Sequence, residues 1–430
     1  MRALPATRPG DRLAGVLLLG GGRALAALLG FLAVREIALR LDPVHLGLWG
    51  MILAVQGLCL HLGEAGLRSV ATAEAGRMEG GTAAILRPYL ALRLCLSALA
   101  VLAGWVAGLL LLPEPGMALP LVLASIPAVA LQLDWLALVR GDNGRAAALL
   151  LVRPACFLLL LMVAAPATPQ GVAAAFLAAW WLAALASWPG ALAPPKAPGR
   201  DPPPRWRALL SAGLPLAGTT LVNQAMLGLD LLLAGLLIGP AAAGGYWLAA
   251  SMAVAGLVLA NAQGQLALAR LGPLRDNEQK FAASLAADCR ATSLLGAALA
   301  LLGTAAAPLA VPLLFAGRHD DTALLLAMLM PWLALQHPST LLQSALAATG
   351  RRPALLRASL AALAVFATAA TAAALAGSLP AMALARALGE AVRVALLVRL
   401  LPPEARRATL PPLLMAGAGW GALLPVSLAG

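Results

Sequence analysis

The chain has 430 residues, 61% of them hydrophobic and only 11% charged, which is too little polar surface to cover a water-soluble globule. At about 20 apolar residues per crossing the length fills with roughly twelve or thirteen membrane helices, leaving no room for a soluble domain of ordinary size. The formal charge of +12 comes from basic residues set singly between apolar runs, so it reports orientation in a membrane and not a nucleic-acid partner.

Taken in chain order, Arg2 to Arg12 followed by Leu13 to Val34 has the charge order of a secretory signal. Its apolar run is too long and no cleavage site follows, so it reads as an uncleaved first span. Spans are expected at 13–34, 46–63, 88–112, 118–139, 146–166 and 170–192, then at 208–238, 241–267, 285–315, 321–347, 354–377 and 380–401. The seventh exceeds one crossing, and tilt, a kink near Pro215 or projection beyond the bilayer absorbs the excess. Between the two sets, Ala193 to Arg207 holds six prolines and breaks any helix, because proline removes a donor and clashes with the preceding turn. The expected organisation is therefore all-α: a six-helix bundle over 1–192, a cytoplasmic Pro-rich linker over 193–207, a second bundle over 208–401, and a tail over 402–430. In that tail Leu410 to Leu428 is either a loose apolar segment or a thirteenth span.

With the N-terminus inside, twenty of the 30 Lys and Arg fall in the loops and tails of the cytoplasmic side and only Arg35, Arg40 and Arg318 in the opposite loops. That asymmetry supports twelve spans and a cytoplasmic N-terminus. An even number of spans before the linker makes the halves parallel repeats about an axis along the membrane normal. Each half carries the same short pattern: Leu41-Asp42-Pro43, Gly47 and Trp49 in the first, Ile238-Gly239-Pro240, Gly244 and Tyr246 in the second. Each proline starts a helix, where its missing N–H costs little, and the two aromatics are expected at the external membrane interface.

These stretches carry a family resemblance. Leu41 to Arg68, with Gly47-Leu48-Trp49 and Gly63-Glu64-Ala65-Gly66-Leu67, resembles the first helical pair of the polysaccharide transport family. These are Wzx-like flippases of lipid-linked oligosaccharides, within the multidrug/oligosaccharidyl-lipid/polysaccharide exporter superfamily. Gly213-Leu214-Pro215 through Leu229-Asp230, Ile238-Gly239-Pro240 and Gly245-Tyr246 resembles the start of that family's second half. The resemblance implies two six-helix bundles around a central cavity lined by the first, second, seventh and eighth helices. It also implies alternating access that moves a lipid-pyrophosphate-linked glycan outward across the cytoplasmic (inner) membrane.

Ionisable groups at bilayer depth are costly and are functional candidates by default. Arg23 sits in the first span after Gly20-Gly21-Gly22; glycines permit close approach, and a guanidinium suits phosphate by bidentate hydrogen bonding. Its alternative is an ion pair with Asp230. Asp230, beyond Asn223 and Gln224 in the seventh span, reads as a cation or proton site or as an interfacial carboxylate, and Arg23, Asn223, Gln224 and Asp230 are the expected substrate-binding residues of the cavity. Glu64 and Arg68, at i and i+4, form a gate or a local pair on one helical face. Arg386, Glu390 and Arg393 form a stripe on the twelfth span that compensates itself apart from one positive charge, with the two arginines as reserve substrate ligands. Asp134 and Arg153 are expected to pair. Asn261, Gln263 and Gln265 line the cavity or join helices.

Four histidines lack ligand spacing, and Cys59, Cys95, Cys156 and Cys289 read as small hydrophobes, so neither metal nor cofactor is expected. No Walker A sequence is present, leaving a coupling cation, H+ or Na+, or the membrane potential as the driving force. The expected partners are a lipid-linked glycan and membrane lipids, with the protein a monomer and no nucleic acid bound. Two other functions compete with flipping. A multidrug-type small-molecule exporter shares the topology, and a membrane-embedded polysaccharide polymerase or ligase is disfavoured by external loops of only a few residues. The chain is thus expected not to be an enzyme.

Overall fold

The computed structural model describes residues 9–77, 83–114, 116–164, 166–191, 206–319 and 321–410. Among them the regular structure is helix, in the order α1 (Pro9–Arg40), α2 (Pro43–Glu64), α3 (Leu67–Arg77), α4 (Ala83–Leu111), α5 (Ala118–Leu123), α6 (Ser125–Ala130), α7 (Trp135–Val139), α8 (Asn143–Val163), α9 (Pro169–Ala191), α10 (Trp206–Leu233), α11 (Pro240–Ala255), α12 (Leu257–Leu271), α13 (Glu278–Phe315), α14 (Asp321–Ala348), α15 (Arg352–Leu375) and α16 (Leu379–Arg399). Eleven helical stretches among the described residues are long and apolar enough to cross a membrane. The 21-residue α16, expected as the twelfth span, is not among them, because Arg386, Glu390, Arg393 and Arg399 interrupt its apolar sequence. The protein is a multi-pass membrane protein, and its spans fall where hydropathy put them, α14 within one residue at each end. Most of the linker, and Leu410 to Leu428 apart from its first residue, lie outside the described residues.

Exposure is inverted relative to a soluble protein. Leu110, Val163, Leu309, Leu313 and Leu375 are each at least 73% exposed, a surface that only acyl chains solvate without cost.

The chain divides into two compact units. One comprises Met1–Ile37, Cys59–Leu110 and Pro115–Ala217, the other Ala38–Leu58, Leu111–Glu114 and Gly218–Gly430. In the first, Leu67, Ala71, Ile85, Tyr89, Leu133, Trp135 and Leu209 share a core, with Tyr89 and Trp135 edge to face at 5.3 Å between centroids. The fourth expected span is broken there into α5, α6 and α7, interrupted at Ala124 and again over Leu131 to Asp134. A break at membrane depth needs its backbone groups satisfied from elsewhere. Ser187 Oγ of α9 accepts the Leu133 N–H at 3.0 Å, and Trp188 Nε1 donates to the Leu131 carbonyl at 3.1 Å.

In the second unit, α13 is capped by Asn277, whose side chain accepts the Lys280 N–H, and runs 38 residues despite Pro308 and Pro312. The long seventh span is α10, which continues through Pro215 and closes in one π turn, Ala234–Ile238. Gly239, at φ 136°, reverses the chain into α11 in a region open to glycine and closed to other residues.

Candidate functional site

A buried set of charges forms in the second unit, where α10, α11, α14 and α16 meet. Asp230 of α10 is wholly buried. Its Oδ1 accepts the Leu231 N–H at 2.9 Å and Arg386 Nη2 of α16 at 3.1 Å. Its Oδ2 accepts the Tyr246 hydroxyl of α11 at 2.5 Å and lies 2.9 Å from Arg386 Nε. Arg386, also wholly buried, donates to the Leu227 carbonyl at 2.6 Å, and its guanidinium carbon stands 4.7 Å above the Trp332 ring of α14, a cation–π contact strengthened by the dry surroundings.

One and two turns further along α16 a second pair follows. Glu390 takes Arg393 Nε at 2.9 Å and Nη2 at 2.6 Å in a bidentate fork, and accepts Gln336 Nε2 of α14 at 2.8 Å. Arg393 Nη1 reaches Asn223 Oδ1 of α10 at 2.6 Å, and Asn223 Nδ2 extends to Gln343 at 3.4 Å. Two carboxylates and two guanidinia therefore neutralise one another in a dry core. Desolvation of buried ions is offset only by good geometry and completed hydrogen bonds; the Glu390–Arg393 fork meets that condition, whereas Arg386 Nε and Nη1 are buried without a hydrogen-bond partner and rest on the Asp230 charge and the Trp332 ring.

This arrangement joins several residues that the sequence kept apart and separates some that it joined. Asp230 pairs with Arg386, in place of the Arg23 partner considered for it. The stripe on α16 compensates itself only at Glu390 and Arg393. Gln224, the neighbour of Asn223, is half-buried, and its amide lies where a Cβ on Gly57 would stand. Tyr246 and Trp49 are 0% and 1% exposed, so both rings pack inside the protein and neither is presented to lipid head groups. Tyr246 is drawn inward because Asp230 needs a donor. Tyr246, Trp332 and Gln336 were missed as site residues. The signal for Tyr246 was the reversal at Gly239: residues about equally far before and after a tight turn between antiparallel helices lie at the same depth.

In the first unit Arg23 is half-buried in α1. Of the glycines before it, a Cβ on Gly22 would meet Ala147 at 3.2 Å, while at Gly20 and Gly21 it would meet nothing within 4 Å. Gly22 thus serves helix packing, and its two neighbours leave open space. Glu64 and Arg68 do not share a helical face, because α2 ends at Glu64 and Ala65 and Gly66 take φ of 44° and 67° before α3 begins. Arg68 turns to Asp134 at 2.7 Å, and Glu64 faces His61 at 3.7 Å. Arg153 accordingly does not take Asp134 but lies 4.4 Å over the Trp180 ring. Gln263 approaches His337 at 3.3 Å. Among the described residues no group of three His, Cys, Asp or Glu is placed to hold a metal ion.

The fold is similar to that of the lipid II flippase MurJ in an inward closed conformation, at TM-score 0.73 and 12% identity over 96% of each chain. An outward-facing multidrug resistance MATE transporter of the MOP superfamily matches at TM-score 0.65 and 14% identity, over 96% of this chain and 99% of the other. A MOP superfamily transporter from Pyrococcus furiosus matches at 0.60 and 14%, over 97% and 99%. No curated protein matches the chain in sequence. The family model described as polysaccharide biosynthesis protein matches residues 13–269, more than half of the length, and the chain therefore belongs to that family.

Proposed function

We propose that this protein moves a lipid-linked oligosaccharide or polysaccharide precursor across the cytoplasmic membrane by alternating access, with its N-terminus in the cytoplasm. The observation that carries this reading is membership of the polysaccharide biosynthesis family over residues 13–269. The fold shared with a lipid II flippase from end to end supports it. No chemistry on the glycan is required: the task is to bind an anionic head group, hide it from the bilayer and release it on the other side.

Arg23 is the proposed head-group ligand, because it is the charge within the apolar stretch 13–34 of the first span and stands beside glycines that leave room for a phosphate. Arg386 and Arg393, in reserve as ligands, serve instead to neutralise Asp230 and Glu390. Both oxygens of Asp230 are engaged by a guanidinium, so Arg386 acts as its resident counter-cation and a coupling H+ or Na+ is not held there in this conformation. The protein acts as a monomer with membrane lipids around it.

Small-molecule export is the second reading, favoured by the likeness to MATE transporters. Deletion of the gene separates the two. Glycan export predicts loss of a surface polysaccharide with unchanged drug sensitivity, restored by the wild-type chain. Drug hypersensitivity with the polysaccharide intact reverses the assignment.

A further inference from the structure

Within the second unit, the place where α14 ends, α15 begins and α16 ends gathers arginines with almost no carboxylate to answer them. Leu346 near the end of α14, Leu355 near the start of α15, Leu397 of α16, and Leu401 and Ala405 beyond it share one core. The turn between α14 and α15 therefore lies beside the end of α16 and the helical stretch 403–410 that follows it. Arg351, Arg352, Arg357, Arg399, Arg406 and Arg407 come together there, all exposed. No Asp or Glu occurs between Asp321 and Glu390, and after Glu390 the chain has only Glu404. Among the described residues none of the six has a carboxylate within salt-bridge distance, whereas Arg270 and Arg275, at and after the end of α12, are paired with Asp288 and Asp276.

Two of the six are pinned to backbone. Arg351 Nη1 donates to the Leu400 carbonyl at 2.5 Å, and Arg406 Nη2 donates to the Arg399 and Leu401 carbonyls at 2.8 and 3.3 Å. Three consecutive carbonyls at the negative end of the α16 dipole thus hold two guanidinia side by side. The Nε and the other Nη of each stay available to an anion, and a guanidinium edge fits a phosphate bidentately. The neighbouring surface is apolar. Arg352 opens the candidate span of α15, which puts the arginines at head-group depth. Beyond Arg357 that helix exposes Leu360, Ala361, Ala364 and Val365, a stripe reaching about 12 Å further along the span. A soluble acidic partner or a free phosphate answers the charge and leaves the stripe bare. A phospholipid with an anionic head group answers both.

We infer that this end of the second unit is a binding site for anionic phospholipid, with the phosphate on Arg351 and Arg406, further charge from Arg352, Arg357 and Arg407, and the acyl chains along α15. Such a lipid is resident and not cargo, and its site is independent of what the protein carries. It ties the start of α15 to the end of α16 and relieves the repulsion among the guanidinia, so it stabilises the folded state by binding it preferentially. The test follows thermal unfolding of the full chain in neutral detergent with increasing phosphatidylglycerol, phosphatidylcholine or inorganic phosphate. Phosphatidylglycerol is expected to raise the midpoint by several degrees, an effect that high salt weakens; the other two are expected to leave it unchanged. Arg352→Gln with Arg407→Gln removes two charges without removing a hydrogen bond seen among the described residues. At about fivefold per guanidinium, that variant is expected to need about thirtyfold more phosphatidylglycerol for half the rise. Arg351→Gln with Arg406→Gln is expected to abolish the rise, and Arg275→Gln with Lys280→Gln, outside the cluster, to keep it. No rise with phosphatidylglycerol, an equal rise with phosphatidylcholine, or an unchanged titration in the Arg352 and Arg407 variant overturns the inference, whether or not the Arg351 and Arg406 variant folds. An equal loss in the Arg275 and Lys280 variant also overturns it, since charge then acts in bulk. The same rise with inorganic phosphate makes the site one for a free anion and overturns the lipid assignment.

Discussion

Asp230 and Arg386 show how little of a buried charge's role is visible along one helix. Spacing at i, i+4 and i+7 finds only partners on the same face, and it paired Glu390 with both arginines. The partner of Arg386 comes from α10, 156 residues away, and no local pattern encodes that. What the sequence did show was which charges lie at depth, because apolar flanks are legible residue by residue. Removing one member of the pair leaves a bare buried ion, so Arg386→Ala is expected to lower stability by about 3–5 kcal/mol, read as thermal unfolding in detergent. Replacing Asp230 and Arg386 together by Met is expected to recover most of that loss. Tyr246→Phe, which removes one hydrogen bond to a carboxylate, is expected to cost about 1.5–3 kcal/mol. If Arg386 stands in for a cation, wild-type protein melts at the same temperature in NaCl and choline chloride, and Arg386→Ala gains stabilisation specific to Na+. A Na+-specific shift in the wild type, lost in Asp230→Asn, contradicts that.

Elements were more legible than pairs, because twenty apolar residues bounded by charges or prolines leave few options in a bilayer. Two misreadings have definite causes. Hydropathy treats 118–139 as one segment, but the break between α6 and α7 is held by Ser187 and Trp188 on α9, and hydropathy is blind to hydrogen bonds from another helix. The positive φ at Ala65 and Gly66 ends α2 at Glu64, one residue past the expected span, and so moves Arg68 off the face of Glu64. Ser187→Ala leaves the Leu133 N–H buried without its acceptor and is expected to cost about 1–3 kcal/mol in the same unfolding measurement. At the start of α2, Asp42 accepts the Val44 and His45 N–H groups at 3.0 Å each, and the hydrogen bond from the His45 backbone is the main cause holding its carboxyl below the ordinary value. A lowered folded pKa means that the cap stabilises fully above the unfolded carboxylate range, near pH 4, and fades as pH falls through the lowered value. Asp42→Ala is therefore expected to cost about 1 kcal/mol near neutral pH and less in acid; an equal loss at both would show that charge plays no part.

At the scale of the whole molecule, duplication was the strongest signal in the sequence. The Pro43 and Pro240 echoes mark corresponding helix starts, and their glycines meet: a Cβ added at Gly47 would stand 2.9 Å from Gly244 N. Spacing alone did not reveal that contact, because repeats in sequence carry no information on which copies touch. The aromatics of the same echoes went inward for the same reason: a helix start near the membrane edge suggests an interfacial ring, but backbones this close enclose it. The central claim is that this fold carries a glycan head group past the bilayer with Arg23 as its ligand. The direct measurement places purified protein in liposomes with a fluorescent lipid-pyrophosphate-linked oligosaccharide and follows its loss to a membrane-impermeant quencher. Wild-type protein is expected to expose the inner-leaflet pool as well as the outer. Arg23→Ala, inserted to the same level, is expected to do so about ten- to a hundredfold more slowly, the worth of one charge-assisted hydrogen bond. Exposure no faster than in protein-free liposomes, or an Arg23→Ala rate equal to the wild type, contradicts the account.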